Sequence, residues 1–326
     1  MIARRRLCFV LVLGAVLLPY GIAEGARAQG VAPSGSSSAI GSYLGRWDLS
    51  VKTPEQERPS WLELSEHNGQ LEGLMTGFWA HATPTGTVQI KDGGIEFTAP
   101  TDVGYDEGTV FKGKLAGGRL AGTATSPKGA SWPWTGRRAP SLERKGTPHW
   151  GKPVQLFDGK DLTGWKFAEP AHGSIWSVED GTLVKNGNGS ELISIPKFTD
   201  FKLHVEFNAG PKANSGVYLR GRYEVQIETD SSTEAANRRL GAVYGFLTPQ
   251  PELTPTPNVW QTYDITLVGR TLTLVHDGKT VIDHKEIPGI TGGALDSHEG
   301  LPGPIYLQGS EEGRVAFRNI VITPAE

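Results

Sequence analysis

The run RYEVQIETD (222–230) sets acidic and amide side chains at alternate positions, and that spacing limits the chemistry available to them. In a strand, successive side chains point to opposite faces, so Arg222, Glu224, Gln226 and Glu228 share one face and Tyr223, Val225 and Ile227 the other. The preceding run SGVYLRG (215–221) likewise sets Tyr218 and Arg220 against Val217 and Leu219. The apolar sets are expected in a core, which leaves the polar sets facing a groove. At about 3.3 Å per residue, Glu224 and Gln226 stand roughly 7 Å apart, and Glu224 and Glu228 roughly 13 Å apart. The longer separation exceeds the carboxyl spacing of retaining and inverting glycosidases alike. Spacing alone also permits a solvated strand face paired to a basic neighbour.

Other residues offer less. Tyr244 and Trp260 could stack on sugar rings, whose apolar faces pack on aromatics, although a Trp in a β protein more often fills the core. His298 and Glu299 stand in a Gly- and Pro-rich stretch that could reach the groove mouth. Glu228, Asp230 and Asp296 are the best oxygen donors for a divalent cation, but none has metal-motif spacing. Trp61, Trp79 and His81 form no recognisable constellation. Serine nucleophile elbows, phosphate loops and dinucleotide fingerprints are absent.

The elements that must hold these residues are short. The chain carries 43 Gly and 22 Pro, and no long apolar stretch at helical spacing. It is expected to be all-β with at most a few short helices. From Tyr43 to Arg138, runs such as GRWDLSV, SWLELSE and TVFKGKL alternate between turn residues, as in an antiparallel meander forming a small barrel or half-barrel. Residues 139–153 mix Pro, Gly and charge without either periodicity and read as a linker. A second β unit is expected over 154–326, with a hairpin at Asp277-Gly278 and two facing sheets.

The amino terminus reads as an export signal. Arg4, Arg5 and Arg6 precede the apolar run LCFVLVLGAVLL, and Ala26-Arg27-Ala28 is a small-x-small cleavage site. The run is too short for a membrane anchor. Residues 1–28 are expected to be removed, leaving a periplasmic or secreted chain with a flexible leader over 29–42. Cleavage removes four arginines and Glu24, so the formal charge moves from −3 to −6. It also removes Cys8, the sole cysteine, and with it any disulfide or thiol chemistry. A mildly acidic, unclustered charge argues against nucleic acid as a partner.

The phrases LFDGKDLTGW (156–165), WSVEDGTLV (176–184), DFKLHVEF (200–207), NSGVYLRG (214–221), YEVQIETD (223–230), TGGALDSHEGLPGPIYLQG (291–309) and FRNIVIT (317–323) occur together and in order. In this the second unit resembles the 3-keto-disaccharide hydrolase family, and the first resembles a small β domain that often precedes it. The resemblance implies a concanavalin-A-like jelly roll and cleavage of glycosides whose ring carbon 3 is already a ketone, after oxidation by a partner sugar 3-dehydrogenase. A ketone there acidifies the hydrogen at carbon 2, so one base and one electrophile suffice to expel the substituent at carbon 1. On this basis Glu224 is expected as the base and Arg220 as the partner of the keto oxygen. Asn214, Gln226, Glu228 and Gln308 are expected to bind substrate, with Tyr244, Trp260 and His298 as further contacts. The family usually follows its LQG phrase with an Asp-His-Gly-like step, whereas here Ser310-Glu311-Glu312-Gly313 follows, so a His at that point is missing. Two alternatives remain: a non-catalytic carbohydrate-binding jelly roll, and an ordinary endo-glycosidase. The latter's Glu-x-Asp-x-x-Glu strand would have Gln226 where its middle carboxylate belongs.

Overall fold

The computed structural model describes residues 40–101, 103–168, 175–230, 233–309 and 311–326. The expected signal peptide, and the leader up to residue 39, lie outside the described residues. No helix among the described residues is long and apolar enough to cross a membrane.

Residues 45–138 form one antiparallel sheet of nine strands. Its centre pairs Gly45–Lys52 with Glu57–His67 on one side and with Ser131–Arg138 on the other. Alternation buries Trp47, Leu49, Val51, Phe97, Phe111 and Trp134 in one core, where Phe97 stacks on Phe111 at 5.0 Å. Thr85 and Gly86 tie the two margins of the sheet together. The Thr85 amide donates to the Gly73 carbonyl at 2.8 Å and the Gly86 amide to the Thr98 carbonyl at 3.0 Å. The sheet is a half-barrel rolled around its aromatic core.

Trp61 leaves that core. Next to inward-facing Leu62, it points through the opposite face, is fully buried, and packs edge-on against Phe246 of the second unit at 5.4 Å. Gly289 lies so close to the indole that no side chain would fit there. Truncating a buried aromatic residue costs about 3–5 kcal/mol. Trp61→Ala should lower the unfolding free energy by about that much in denaturant titrations, and a loss under about 0.5 kcal/mol would contradict this seam.

The second unit is a jelly-roll sandwich. One sheet runs in the order Trp176–Glu179, Thr182–Asn186, Arg314–Pro324, Phe201–Ala209, Trp260–Val268, Thr271–His276 and Lys279–Glu286, with Val154–Gln155 paired to Arg314–Pro324. The other has the order Trp165–Phe167, Leu192–Ser194, Tyr306–Leu307, Asn214–Leu219 and Tyr223–Glu228. Strand Phe201–Ala209 shows why they stack: Phe201, Leu203, Val205 and Phe207 are buried, while Lys202 is exposed. The connecting segment lies along this unit, with Arg144 donating to the Asp200 carboxylate at 3.0 Å and Trp150 bridging to Ala325.

One feature differs from an open concave face: every residue of Tyr223–Glu228 is buried. Residues 241–244 run along its free edge, with the Gln226 amide donating to Ala242 at 2.9 Å and the Tyr244 amide to Glu224 at 3.1 Å. Strand edges left bare invite pairing, and here the chain's own loop provides it. The polar face therefore opens into a covered pocket.

Candidate active site

Two strands place the central carboxylate. Asn214–Leu219 and Tyr223–Glu228 pair antiparallel, with Tyr218 opposite Glu224 and Gly216 opposite Gln226. The Tyr218 hydroxyl lies 2.9 Å from Glu224 Oε2 and 2.8 Å from the Gly292 carbonyl. Its ring stacks on Tyr306 at 4.1 Å. Gly216 leaves the space the Glu224 side chain occupies: a Cβ there would collide with Oε1 and come within 2.8 Å of Cγ. The Glu224 amide donates to the Thr291 hydroxyl at 3.1 Å, which ties the strand to the Thr291-Gly292-Gly293 turn.

Glu224 Oε1 is buried, has no hydrogen-bond partner among the described residues, and lines a pocket of about 200 Å³. Asn214 Oδ1 and Gln308 Oε1, from two further walls, are also buried acceptors with no partner among the described residues. A buried acceptor left unpaired costs about 1–3 kcal/mol, so three in one pocket favour a ligand rich in hydroxyl donors. A larger groove of about 540 Å³ lies on the first sheet, but its exposed Lys112 is paired with the half-buried Glu96 at 3.1 Å. Of these two, the smaller pocket is the one in which side chains from several elements bring unpaired polar atoms together.

Burial pushes the Glu224 carboxyl up to about 8; the Tyr218 hydrogen bond pulls it down, and nearby Glu311 raises it further. Glu311, on another wall of the pocket, is also raised, by burial first and against the pull of Lys185. The Lys185 ammonium is fully buried and donates to the carbonyls of Asn214, at 3.0 Å, and of Glu311, fixing the start of the 311–313 turn. Burial also lifts the Tyr244 phenol to about 12, so it keeps its proton at neutral pH and can donate it to an anion in the pocket. The arrangement offers a base with one free oxygen, a phenol donor and a second carboxyl that favours its protonated form.

Residues 152–323, more than half of the chain, match the model of the 3-keto-alpha-glucoside-1,2-lyase-like domain. The chain belongs to this family. Among curated proteins it is 31% identical over 101 residues to a 3-keto-disaccharide hydrolase of Bacteroides thetaiotaomicron. That match spans 28% of this chain and a third of the relative's length. Among solved structures it is similar to a candidate glycosyl hydrolase of Parabacteroides distasonis, with 27% identity, 55% of this chain and 92% of that chain covered, and a TM-score of 0.43. A Bacillus licheniformis β-glucanase shares 14% identity over 56% of this chain and all of its own length, with a TM-score of 0.34. Membership of the 3-keto-glucoside lyase-like family places the chain among carbohydrate-active proteins.

Within this family member, the pocket gathers Asn214, Glu224, Gln226, Tyr244 and Gln308. Four other expected site residues lie elsewhere. Arg220 is the main correction. The strand ends at Leu219, and Arg220 takes a left-handed φ of 53°, which breaks the alternation that put it beside Tyr218. Its guanidinium lies 5.1 Å from the centre of the Tyr223 ring and donates to the Gly269 carbonyl at 2.8 Å, away from the pocket. Arg222 likewise turns aside, donating to Asp296 at 2.7 Å. Glu228 sits opposite Asn214 but beyond the pocket lining, its carboxyl raised to about 7 by burial and by Glu234 and Asp230. Trp260 belongs to the other sheet, where Arg318 covers its ring at 4.0 Å. His298 lines a separate cavity beside Asp48, Arg137 and Ser297. As for a divalent cation, Asp296 is held by Arg222, and the described residues contain no group of three or more His, Cys, Asp or Glu able to hold a metal.

Sequence reasoning did not single out Gly216, the Tyr218 phenol, the Thr291–Gly293 turn or Glu311. The last was within reach, since it stands where the family phrase departs. Trp79 and Ala80, from the first unit, also line the pocket, and no motif links them to a strand some 140 residues later.

A phenol has one proton and Tyr218 faces two acceptors, so it serves the ionised Glu224 or the Gly292 carbonyl, not both. Tyr218→Phe removes a hydrogen bond that favours the Glu224 anion, so its proton should be lost at higher pH. If Glu224 must be ionised to act, the acid limb of kcat/KM should shift upward by about one unit. An unmoved limb would show that this contact does not tune the carboxyl.

Proposed function

We propose that this protein cleaves 3-keto-glycosides by base-assisted elimination, with Glu224 as the base. The observation that carries the reading is the Glu224 carboxyl itself: buried in the pocket, one oxygen beside Tyr218 and the other with no partner among the described residues. A 3-keto sugar suits it because the ketone acidifies the carbon 2 hydrogen. Glu224 takes that proton, and negative charge develops on the carbon 3 oxygen, where the Tyr244 phenol donates a hydrogen bond. The electron pair then forms the carbon 1–carbon 2 double bond as the carbon 1–oxygen bond breaks. Glu311, the second raised carboxyl, gives its proton to the departing oxygen. The products are an alcohol and a 1,2-unsaturated 3-ketone; addition of water across the new double bond makes the outcome a net hydrolysis. Asn214 and Gln308 accept hydrogen bonds from sugar hydroxyls, and Gln226 adds a further contact.

This role uses one carboxylate base rather than a glycosidase pair, in keeping with Gln226 standing between Glu224 and Glu228. The reading calls for a separate sugar dehydrogenase to install the ketone. It places the reaction outside the cytoplasm because of the arginine-led apolar run at the start of the sequence. The test is to incubate the protein with a 3-keto-glucoside and with its unoxidised parent. Release of the alcohol from the keto substrate alone is expected; equal release from both, or none from either, would overturn the reading.

A further inference from the structure

We infer that the first unit supplies part of the substrate site: Trp79 is an aromatic platform for the leaving group, a ring with an apolar face. This rests on the elimination reading above. Trp79 is half exposed, whereas Glu224 on the same pocket is 3% exposed. The ring bearing the ketone must reach Glu224 at the floor, so the substituent to be expelled lies toward the rim, where Trp79 stands. The pocket volume of about 200 Å³ is below the roughly 300–1,000 Å³ of sites for drug-sized ligands, which suits one sugar ring inside and its partner over the rim.

The segment carrying Trp79 is built to hold it still. The Phe78 carbonyl accepts from the Gly293 amide at 2.9 Å, across the seam between the units. The Trp79 ring lies 4.3 Å from that of Phe78, which is covered by Arg58 at 5.4 Å. Gly104, at φ +87°, packs against both residues; a Cβ there would be 3.1 Å from Phe78 Cβ and 3.1 Å from the Trp79 indole. Ala80 takes a left-handed φ of 64°, an uncommon conformation for a residue with a side chain, and its carbonyl occupies the space a Gly292 side chain would need. His81 continues the seam at 3.3 Å from the Arg238 guanidinium. A large apolar ring left in water but fixed beside a polar pocket is the arrangement expected of a stacking surface. The ring face it receives can be a second sugar or an aryl group.

The test compares wild type, Trp79→Ala and Trp79→Phe on three 3-keto-glucosides that differ only in leaving group: methyl, aryl and glucosyl. Trp79→Ala should raise KM about 10-fold for one or both ring-bearing substrates, and less than about 2-fold for the methyl glycoside, with kcat nearly unchanged. Trp79→Phe should recover most of the loss. Which ring-bearing substrate suffers identifies the natural leaving group. Equal losses on all three substrates, no loss on any, or failure of Phe to rescue would overturn the proposal. If wild type cleaves none of the three, the elimination reading fails by itself, and the subsite is judged by calorimetric binding of the same compounds. A preference for ring-bearing glycosides that Trp79→Ala abolishes supports it, and equal affinities of the two proteins overturn it.

Discussion

Glu224→Gln should lower turnover of a 3-keto-glucoside by about 10²–10⁴-fold, the usual cost of losing a positioned general base. The amide keeps the size of the side chain and fits the space over Gly216, so substrate affinity should change far less than rate. The same substitution has a stability signature, because Glu224 is 3% exposed and is not a surface carboxylate. Its carboxyl titrates near 8 in the folded protein, against 4.5 as the ordinary value. Between these pH values the folded state holds a proton that the unfolded state has released, so this group's contribution to stability is full below 4.5 and is lost as pH rises through 8. Gln is neutral throughout. The variant should therefore gain stability relative to wild type as pH rises from 5 to 8, by on the order of a few kcal/mol. A stability difference that does not change with pH would show that Glu224 is ionised in the fold. Wild-type turnover in the variant would show that it is not the base.

The second large effect belongs to Glu311 and depends on the leaving group. If Glu311 protonates the departing oxygen, Glu311→Gln should slow cleavage of a methyl 3-keto-glucoside by about 10²-fold or more, since methoxide is a poor leaving group. A nitrophenyl 3-keto-glucoside leaves as a stable anion without help, and its rate should fall less than about 5-fold. Rate measurements on this pair decide the matter. Equal losses on both substrates would make Glu311 a structural neighbour, present only to raise the Glu224 carboxyl.

The balance between what the sequence revealed and what it hid is physical. Two-residue periodicity made the strands of both units legible, and it put Glu224 and Gln226 on the pocket side because Val225 and Ile227 must enter the core. The same periodicity failed at Arg220, where the chain leaves the strand through a left-handed residue and the side-chain direction no longer alternates. Burial was misjudged for a related reason: strand alternation tells which way Glu224 points, but not that residues 241–244 and the Thr291–Gly293 turn cover it. His298 and Trp260 were plausible by type and were separated from the pocket by topology, which local sequence does not encode. Trp79 was invisible because its contact with the pocket forms only when the half-barrel docks through Trp61. Glu311 could have been weighed, since it stands in the phrase where a family His is missing.

The central claim is that the bond at carbon 1 breaks through loss of the hydrogen at carbon 2, and NMR of the sugar product formed in heavy water reads this directly. Elimination removes that hydrogen: the unsaturated ketone carries none at carbon 2, and the hydrated product carries deuterium there. Wild type is expected to give this result well ahead of the enzyme-free control, with exchange slowed in Glu224→Gln in step with turnover. Release of the leaving group with the original hydrogen retained at carbon 2 would mean direct displacement at carbon 1, and would contradict the account.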